Sequence, residues 1–199
     1  MIAIFDYGAG NLRSVENTLG EIGAGYTLTR DSDGLRAASK IILPGVGHFG
    51  QMMRALDSLG VRQTLLDRIA AGVPFLGICL GLQALLTTSE EAPEAPGLGL
   101  YPGSVRRFPL DARVPHMGWN QLEPKAPSKL LANLPADPYV YFAHSYYVPE
   151  NRATAASCTY TTPYTAVLED RNVFGVQFHP EKSGPIGLQI VRNFVEARC

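Results

Sequence analysis

The sequence predicts an α/β fold with a single doubly wound, mostly parallel sheet flanked by helices and an antiparallel extension in the second half. The first half alternates short apolar runs with segments of helical spacing, which is typical of a parallel sheet covered on both faces. The second half has strand-like pieces with few helical patterns between them, which favours antiparallel pairing. The length of 199 residues, without an internal repeat, predicts one domain over 1–199.

The first half begins with a compact apolar run that predicts a buried strand. Gly8 and Gly10 break this run, and the next apolar residues recur at helical spacing until Gly23. The expected elements are strand 2–5, a helix from 12 to 22, strands 26–29 and 40–43, helices 49–59 and 61–71, strand 73–78 and a helical stretch 80–86.

The second half opens with an acidic, proline-rich segment over 90–96, which predicts a loop. Short β-type segments follow it, and an amphipathic helix closes the chain. The expected strands are 104–108, 119–122, 139–143, 153–158, 165–168 and 173–178, and the expected helix is 186–197.

The composition excludes several classes of protein. A formal net charge of -1 with scattered basic residues argues against a nucleic-acid binder and a polybasic membrane patch. No apolar run approaches the ~20 residues of a membrane span, and the N-terminus does not resemble a signal peptide. The 3 cysteines cannot all pair, which disfavours a disulfide framework and predicts a cytoplasmic protein. We expect passive roles for Cys158 and Cys199.

The most informative segment is the run GICLGLQ over 77–83, between a predicted strand and a predicted helix. Glycines two positions either side of Cys79 match a nucleophile elbow, in which a sharp turn exposes the nucleophile. A helix N-terminus there favours the thiolate, and the Leu80 N–H can stabilise an oxyanion. The alternative is that Cys79 is a small buried core residue.

A nucleophilic cysteine needs a base and a group that orients the base. His179 follows a strong strand pattern, and Glu181 lies two residues further, across a proline that restrains the backbone. One short segment can therefore supply both groups. Taken alone, this three-residue match is weak, and a surface histidine before a proline is the alternative.

Two glycine-rich turns have weaker signals. The run PGVG over 44–47 ends a strand beside the one that leads to Cys79, so its backbone could approach a ligand, although an ordinary turn is the alternative. Gly8 and Gly10 with Asp31 suggest a dinucleotide site, but Arg13 occupies the third glycine position. A dinucleotide site is therefore disfavoured.

These motifs resemble the class I, triad-type glutamine amidotransferases over essentially the whole chain. The resemblance is carried by GICLGLQ around Cys79 and by FHPEKS around His179 and Glu181. A narrower likeness is to the family of glutaminase subunits of imidazole glycerol phosphate synthases. The runs DYGAGN, PGVGHFG and HSY contribute to it, and PHMGWN over 115–120 discriminates best.

The resemblance implies that glutamine binds with its carboxamide over Cys79 and is hydrolysed through a thioester. His179 would transfer the proton, and Glu181 would orient the His179 ring. Cys79, His179 and Glu181 are therefore the expected catalytic group. The implied oxyanion donors are backbone groups of Val46, Gly47 and Leu80, and the implied glutamine contacts are Gly45, Gln83, Ser145 and Tyr146. No metal and no cofactor is implied.

The resemblance also implies a partner, a (β/α)8-barrel cyclase that forms a heterodimer with the chain. The cyclase would use the ammonia to make imidazole glycerol phosphate and an aminoimidazole carboxamide ribotide, in histidine biosynthesis. The implied interface residues are Asn11, Met117, Trp119, Asn120 and Lys182. A core position remains the alternative for Trp119.

Two other functions stay open at this point. The chain could serve another pathway, supplying ammonia for anthranilate, guanylate or pyridoxal phosphate synthesis. It could also be a binding subunit without turnover, although the complete set of Cys79, His179 and Glu181 counts against that. The resemblance further implies slow activity without the partner, and a turn of one peptide at 45–47 is the physical candidate for this control.

Overall fold

The computed structural model describes residues 1–198, and Cys199 lies outside the described residues. The chain forms 13 strands and 6 helices with one 3-10 turn within that range. The strands are β1 Ile2–Phe5, β2 Tyr26–Thr29, β3 Lys40–Gly45, β4 Phe75–Cys79, β5 Leu86–Ser89, β6 Tyr101–Arg107, β7 His116–Gln121, β8 Glu123–Pro124, β9 Tyr139–His144, β10 Tyr146–Tyr147, β11 Thr154–Tyr160, β12 Thr162–Asp170 and β13 Val173–Val176. The helices are α1 Leu12–Ile22, α2 Ser32–Ala37, α3 Phe49–Ser58, α4 Arg62–Ala70, α5 Leu80–Gln83 and α6 Gly184–Glu196, with the 3-10 turn at Pro180–Lys182.

The main sheet has eight strands in the order β2-β1-β3-β4-β13-β12-β11-β8. The five strands from β2 to β13 run parallel, and β12, β11 and β8 extend the sheet with antiparallel pairing. This confirms the predicted fold class. Two small sheets, β10-β6-β5 and β7-β9, complete the structure. The strand β4 lies between β3 and β13, so the residue that ends it can be reached from both neighbours.

Helices cover both faces of the main sheet, as a doubly wound fold requires. Successive strand side chains alternate between the faces, so Phe5 packs in one core cluster and Ile4 in the other. Met52 of α3 and Leu65 of α4 belong to the first cluster, whereas Phe194 of α6 belongs to the second. The described part of the chain has no helix long and apolar enough to cross a membrane.

Two predicted elements end at other residues in the structure, because contacts with distant segments determine where they end. The strand β3 continues past Pro44, because its pairing with β1 ends at Ile42 and the missing proline N–H breaks no ladder there. The stretch 80–86 is helical only to Gln83, since the carbonyls of Ala84 and Leu85 accept hydrogen bonds from the segment 98–101 instead.

The helix α2 was not expected from the sequence. The Asp31 side chain accepts the Gly34 N–H at 2.8 Å and caps the start of this helix. The residue that suggested a dinucleotide site therefore has a structural role.

Candidate active site

Cys79 ends β4 in a sharp turn into the single-turn helix α5, with φ 54° and ψ -105°. A positive φ is rare for a residue with a side chain and marks a strained backbone. The turn is possible because its neighbours lack Cβ atoms. A Cβ on Gly77 would lie 2.4 Å from the Gly81 carbonyl oxygen, and one on Gly81 would lie 1.9 Å from the Leu43 carbonyl oxygen. The geometry has the features of the expected nucleophile elbow.

His179 reaches Cys79 from the neighbouring strand. It follows β13, which pairs in parallel with β4, so both residues lie at the carboxyl ends of adjacent strands. The 3-10 turn that begins at Pro180 brings the Glu181 carboxylate back to the ring, where Oε1 lies 2.9 Å from His179 Nδ1. Both side chains are almost completely buried, at 4% and 3% exposure.

The electrostatics of His179 favour the imidazolium. Burial alone lowers its pKa, but hydrogen bonds to Cys79 and Glu181, together with the charges of both groups, raise the pKa to about 10. The ring therefore holds a proton at neutral pH beside the Cys79 sulfur. That arrangement can attack an amide carbon and donate a proton to the departing nitrogen.

Two buried glutamines, Gln177 and Gln83, form a chain of hydrogen bonds that ends at Cys79. Gln177 donates from Nε2 to Cys79 Sγ at 3.7 Å. Gln83 donates to Gln177 Oε1 at 3.2 Å and to the Tyr146 carbonyl at 2.8 Å. Gln177 was not among the expected site residues, although a polar residue within the apolar run 173–178 is a signal that could have identified it.

A cavity of about 200 Å³ opens above Cys79. Eight of the expected site residues line it: Val46, Gly47, Cys79, Leu80, Gln83, Ser145, Tyr146 and His179. Glu181 lies behind His179. Gly45, an expected glutamine contact, is not part of the lining, because it is the buried last residue of β3 and pairs with Cys79.

Glu91 is a charged lining residue that the sequence did not indicate. Its Oε2 accepts the Phe49 N–H at 2.7 Å at the start of α3, which fixes the carboxylate at the edge of the cavity. The residue lies in the loop after β5, within the acidic, proline-rich segment for which the sequence predicted only a loop. This carboxylate can bind an ammonium group.

The Val46 amide, an expected oxyanion donor, is hydrogen-bonded to a tyrosine side chain in this structure. Its N–H donates to the Tyr7 hydroxyl at 3.1 Å, and its carbonyl accepts from the same hydroxyl at 3.0 Å. Both polar atoms of Val46 are therefore used outside the cavity in this arrangement.

A buried cluster of two histidines and a tyrosine lies against the cavity wall. His116 Nδ1, His144 Nε2 and the Tyr164 hydroxyl lie 3.2–3.3 Å from one another. Burial lowers the pKa of His116 to about 4 and that of His144 to about 3, so both rings are neutral at pH 7. With its Nδ1 2.8 Å from the Tyr146 carbonyl, His144 helps to hold the backbone at the cavity.

The expected interface residues lie on several elements and differ in exposure. Met117 and Trp119 are 64% and 56% exposed on one face of β7, so Trp119 is not a core residue. Asn120 donates to the Thr159 carbonyl at 3.1 Å. Lys182 is exposed on the 3-10 turn beside Glu181, and Asn11 precedes α1. Among residues 1–198, no group of side chains could hold a metal ion.

Comparisons with known proteins place this geometry in a family. The model of the Glutamine amidotransferase class-I family matches residues 3–197. A relative from Methanothermobacter thermautotrophicus, named Imidazole glycerol phosphate synthase subunit HisH, is 52% identical over 197 residues, which cover 98% of each chain. A relative of the same name from Desulfitobacterium hafniense is 48% identical over 98% of this chain and 93% of its own.

Solved structures show the same fold at lower identity. A glutamine amidotransferase crystal structure superposes with a TM-score of 0.78 at 19% identity, covering 98% of this chain and 97% of that one. A structure of PurLQS from Thermotoga maritima gives a TM-score of 0.76 at 18% identity, covering 97% of this chain and 96% of that one. These similarities extend to the fold alone.

Proposed function

The chain belongs to the class I glutamine amidotransferases, and from that premise we propose that it is the glutaminase subunit of an imidazole glycerol phosphate synthase. It hydrolyses L-glutamine to glutamate and ammonia and delivers the ammonia to a cyclase subunit in histidine biosynthesis. The observation that carries the pathway is the 52% identity to a HisH subunit over 98% of both chains. The observation that carries the chemistry is the position of Cys79 and the buried His179–Glu181 pair at the carboxyl ends of the adjacent strands β4 and β13, where Cys79 and His179 line the same cavity.

The first half of the reaction forms a thioester. The Cys79 thiolate attacks the carboxamide carbon of glutamine, and the carbonyl electrons move to oxygen. The Leu80 N–H, at the residue after the nucleophile, stabilises that oxyanion. When the tetrahedral intermediate collapses, the C–N bond breaks and His179 donates its proton to the departing nitrogen, which leaves as ammonia.

The second half restores the enzyme. His179, now neutral, removes a proton from water, and the hydroxide formed attacks the thioester carbon. The C–S bond breaks, glutamate leaves, and the thiolate–imidazolium pair is re-formed. Glu181 keeps the ring oriented through both steps and stabilises its charged form. The reaction needs a reduced thiol, which supports the cytoplasm as its compartment.

The cavity lining supports glutamine as the substrate. Glu91 supplies a fixed carboxylate for the α-ammonium group, and Ser145 and Tyr146 line the same cavity. The Tyr146 carbonyl is itself held by Gln83 and His144. We assign the recognition of the amino-acid end to these groups, and the carboxamide to the space above Cys79.

The partner surface we propose is the exposed face of the small sheet β7-β9. Trp119 on β7 lies beside Tyr141 on β9, and Met117 lies beside Ala143, which also lines the cavity. An apolar face with an exposed tryptophan is typical of a protein interface. The occupant we propose is the (β/α)8-barrel cyclase, because ammonia released beside Ala143 would then enter the partner rather than bulk water.

The test is an assay of glutamine hydrolysis with and without the cyclase subunit. We expect glutamate release by the complex, glutamine-dependent formation of imidazole glycerol phosphate, and loss of both with Cys79→Ala, which should fold normally. Ammonia added directly should restore synthesis in that variant. Hydrolysis retained by Cys79→Ala, or synthesis supported only with an anthranilate, guanylate or pyridoxal phosphate enzyme, would contradict the assignment.

A further inference from the structure

Gln177 is a buried polar residue at the end of an apolar strand, in register with the nucleophile. The last residue of β13, Val176, pairs in parallel with Ile78 of β4, so the next residues along the two strands are Gln177 and Cys79. Side chains at the same register of adjacent strands lie on the same face of a sheet. Gln177 is 0% exposed, and a buried amide is costly unless it is hydrogen-bonded. The partners of this amide therefore determine what it does in the site.

The direction of the hydrogen bonds is fixed at the end far from the sulfur. A backbone carbonyl only accepts, so the Tyr146 carbonyl, 2.8 Å away, requires Gln83 to face it with Nε2. The same Nε2 lies 3.2 Å from the Gln177 amide, which must then face it with Oε1. The Nε2 atom of Gln177 is left for the Cys79 sulfur, at 3.7 Å. The sulfur therefore meets a hydrogen-bond donor and not an acceptor.

A donor at this position favours the charged form of the sulfur. Hydrogen bonds to an anion are stronger than those to a neutral acceptor, so the Gln177 N–H stabilises the Cys79 thiolate relative to the thiol. In the proposed reaction the sulfur is an anion twice: before it attacks the carboxamide carbon, and again when the C–S bond breaks and its electrons return to sulfur. Gln177 keeps its own proton at both stages, because His179 carries the proton that is transferred.

The oxygen of the Gln177 amide determines what Gln83 offers to a ligand. The Nε2 atom of Gln83 has two hydrogens, and the Tyr146 carbonyl and Gln177 Oε1 are acceptors for both. Gln83 lines the cavity above Cys79, so its Oε1 is the side-chain polar atom that remains for the substrate. An amide oxygen accepts hydrogen bonds, and glutamine carries N–H donors at its ammonium group and its carboxamide. The orientation of Gln83 therefore suits this substrate.

We propose that Gln177 is a further catalytic residue of the glutaminase, whose amide N–H stabilises the Cys79 thiolate and whose amide oxygen holds Gln83 with Oε1 towards the substrate. Gln177 contacts the reacting sulfur directly and acts on the substrate through Gln83. The inference rests on the proposed glutaminase function and adds one side chain that joins the nucleophile to the binding groups.

Gln177→Met tests the donor, because methionine has a similar length and fills the buried space without an N–H group. In the complex with the cyclase, we expect the acid limb of the pH profile of kcat/KM to move to higher pH by about one unit, since the thiolate forms less readily. Asn193→Leu is the matched control. It removes a buried amide of α6 that binds the Leu130 and Ala132 carbonyls, and it should leave the acid limb in place.

Thermal melts verify that both variants are folded at the assay temperature. An acid limb that does not move in Gln177→Met would overturn the proposal. An equal shift in Asn193→Leu would also overturn it, because loss of any buried amide would then have the same effect.

A double-mutant cycle with Gln83→Met tests the link to the substrate. We expect KM for glutamine to rise about tenfold in Gln83→Met and about threefold in Gln177→Met, where Gln83 loses the acceptor that orients it. In the double variant, KM should equal that of Gln83→Met alone, because Gln177 acts on the substrate through Gln83. Effects on KM that multiply in the double variant would overturn this half of the proposal.

NMR of the Gln177 side-chain amide gives a readout that needs neither activity nor a Gln177 variant. In the full chain, the Nε2 resonances should follow pH as the sulfur ionises, and this dependence should be lost in Cys79→Ala. The Nδ2 resonances of Asn193 are the control in the same spectra and should match in the two proteins. No pH dependence in wild type, or the same dependence in Cys79→Ala, would overturn the proposal while leaving the glutaminase function intact. A wild-type complex with the cyclase that releases no glutamate would instead refute the proposed function.

Discussion

The Nδ1 atom of His179 lies 2.9 Å from Oε1 of Glu181, with both side chains buried and only one proline between them in the chain. A buried carboxylate this close stabilises the imidazolium more than it would in water, because the surroundings screen the charges less. The pair therefore keeps a proton available next to Cys79 at a pH where a free histidine would mostly have lost it.

Glu181→Gln tests this pairing. We expect kcat for glutamine hydrolysis to fall on the order of 10²-fold, because the amide keeps the shape of the side chain but loses its charge, and the His179 pKa falls. Steady-state assays across pH should show the change. Glu196→Gln, an exposed glutamate at the end of α6, is the control and should behave as wild type. A kcat within twofold of wild type would count against the role of Glu181.

The buried histidine pair predicts sensitivity to acid. The pKa of His116 is about 4 and that of His144 about 3 in the folded chain, whereas both are about 6.5 when unfolded. Between about pH 6.5 and pH 4 the unfolded state binds more protons, so the free energy of unfolding should fall as the pH is lowered through that window.

His116→Phe should weaken this dependence. His116 stacks between Tyr160 and Phe142, with ring centroids at 4.0 Å and 5.0 Å, so phenylalanine preserves the stacking and removes one titrating group. Urea unfolding at about pH 7 and about pH 4.5 measures the difference. We expect wild type to lose more stability than the variant, and equal losses would contradict the assignment.

Gly81→Ala tests the steric requirement of the nucleophile turn. Because the new Cβ would lie 1.9 Å from the Leu43 carbonyl oxygen, which is backbone, we expect a loss of about 3 kcal/mol in the free energy of unfolding and loss of glutaminase activity. Gly20→Ala in α1 is the control. Nothing lies within 4 Å of its Cβ, so it should stabilise the chain by about 0.5–1 kcal/mol. Equal denaturation midpoints for the two variants would contradict this prediction.

Trp119→Ala tests the partner surface. The side chain is 56% exposed, so we expect the stability and the partner-free activity of the chain to change little. Binding to the cyclase should weaken by about 2 kcal/mol, as for an interface hot spot, and titration calorimetry measures it. Leu28→Ala, at the far edge strand β2, is the exposed apolar control. Unchanged affinity for the cyclase in Trp119→Ala would contradict the proposed partner surface.

The parts of the site that sequence analysis identified are those that a local motif specifies. Cys79 lies in a run whose glycines indicate a sharp turn. His179 and Glu181 lie in one short segment that a proline restrains. The helix α1 was predicted with its bounds, because Gly23 ends it in a left-handed conformation.

The parts that were missed depend on contacts between distant segments. Gln177 meets Cys79 across 98 positions, and Glu91 is fixed by the start of a helix 42 positions earlier. Tyr7 reaches Val46 only because β1 and β3 are neighbours. No local pattern encodes these pairings, since each joins segments that are far apart in the chain.

The parallel pairing of β4 with β13 also determines when the enzyme becomes active. On the ribosome, the cysteine-bearing strand emerges first and must wait for the segment that supplies its base. A nascent chain truncated before β13 contains the nucleophile without the histidine, the carboxylate or the supporting glutamine. Amide hydrolysis therefore starts only after β13 and the segment 177–181 have been synthesised, so translation products that end before them release no ammonia.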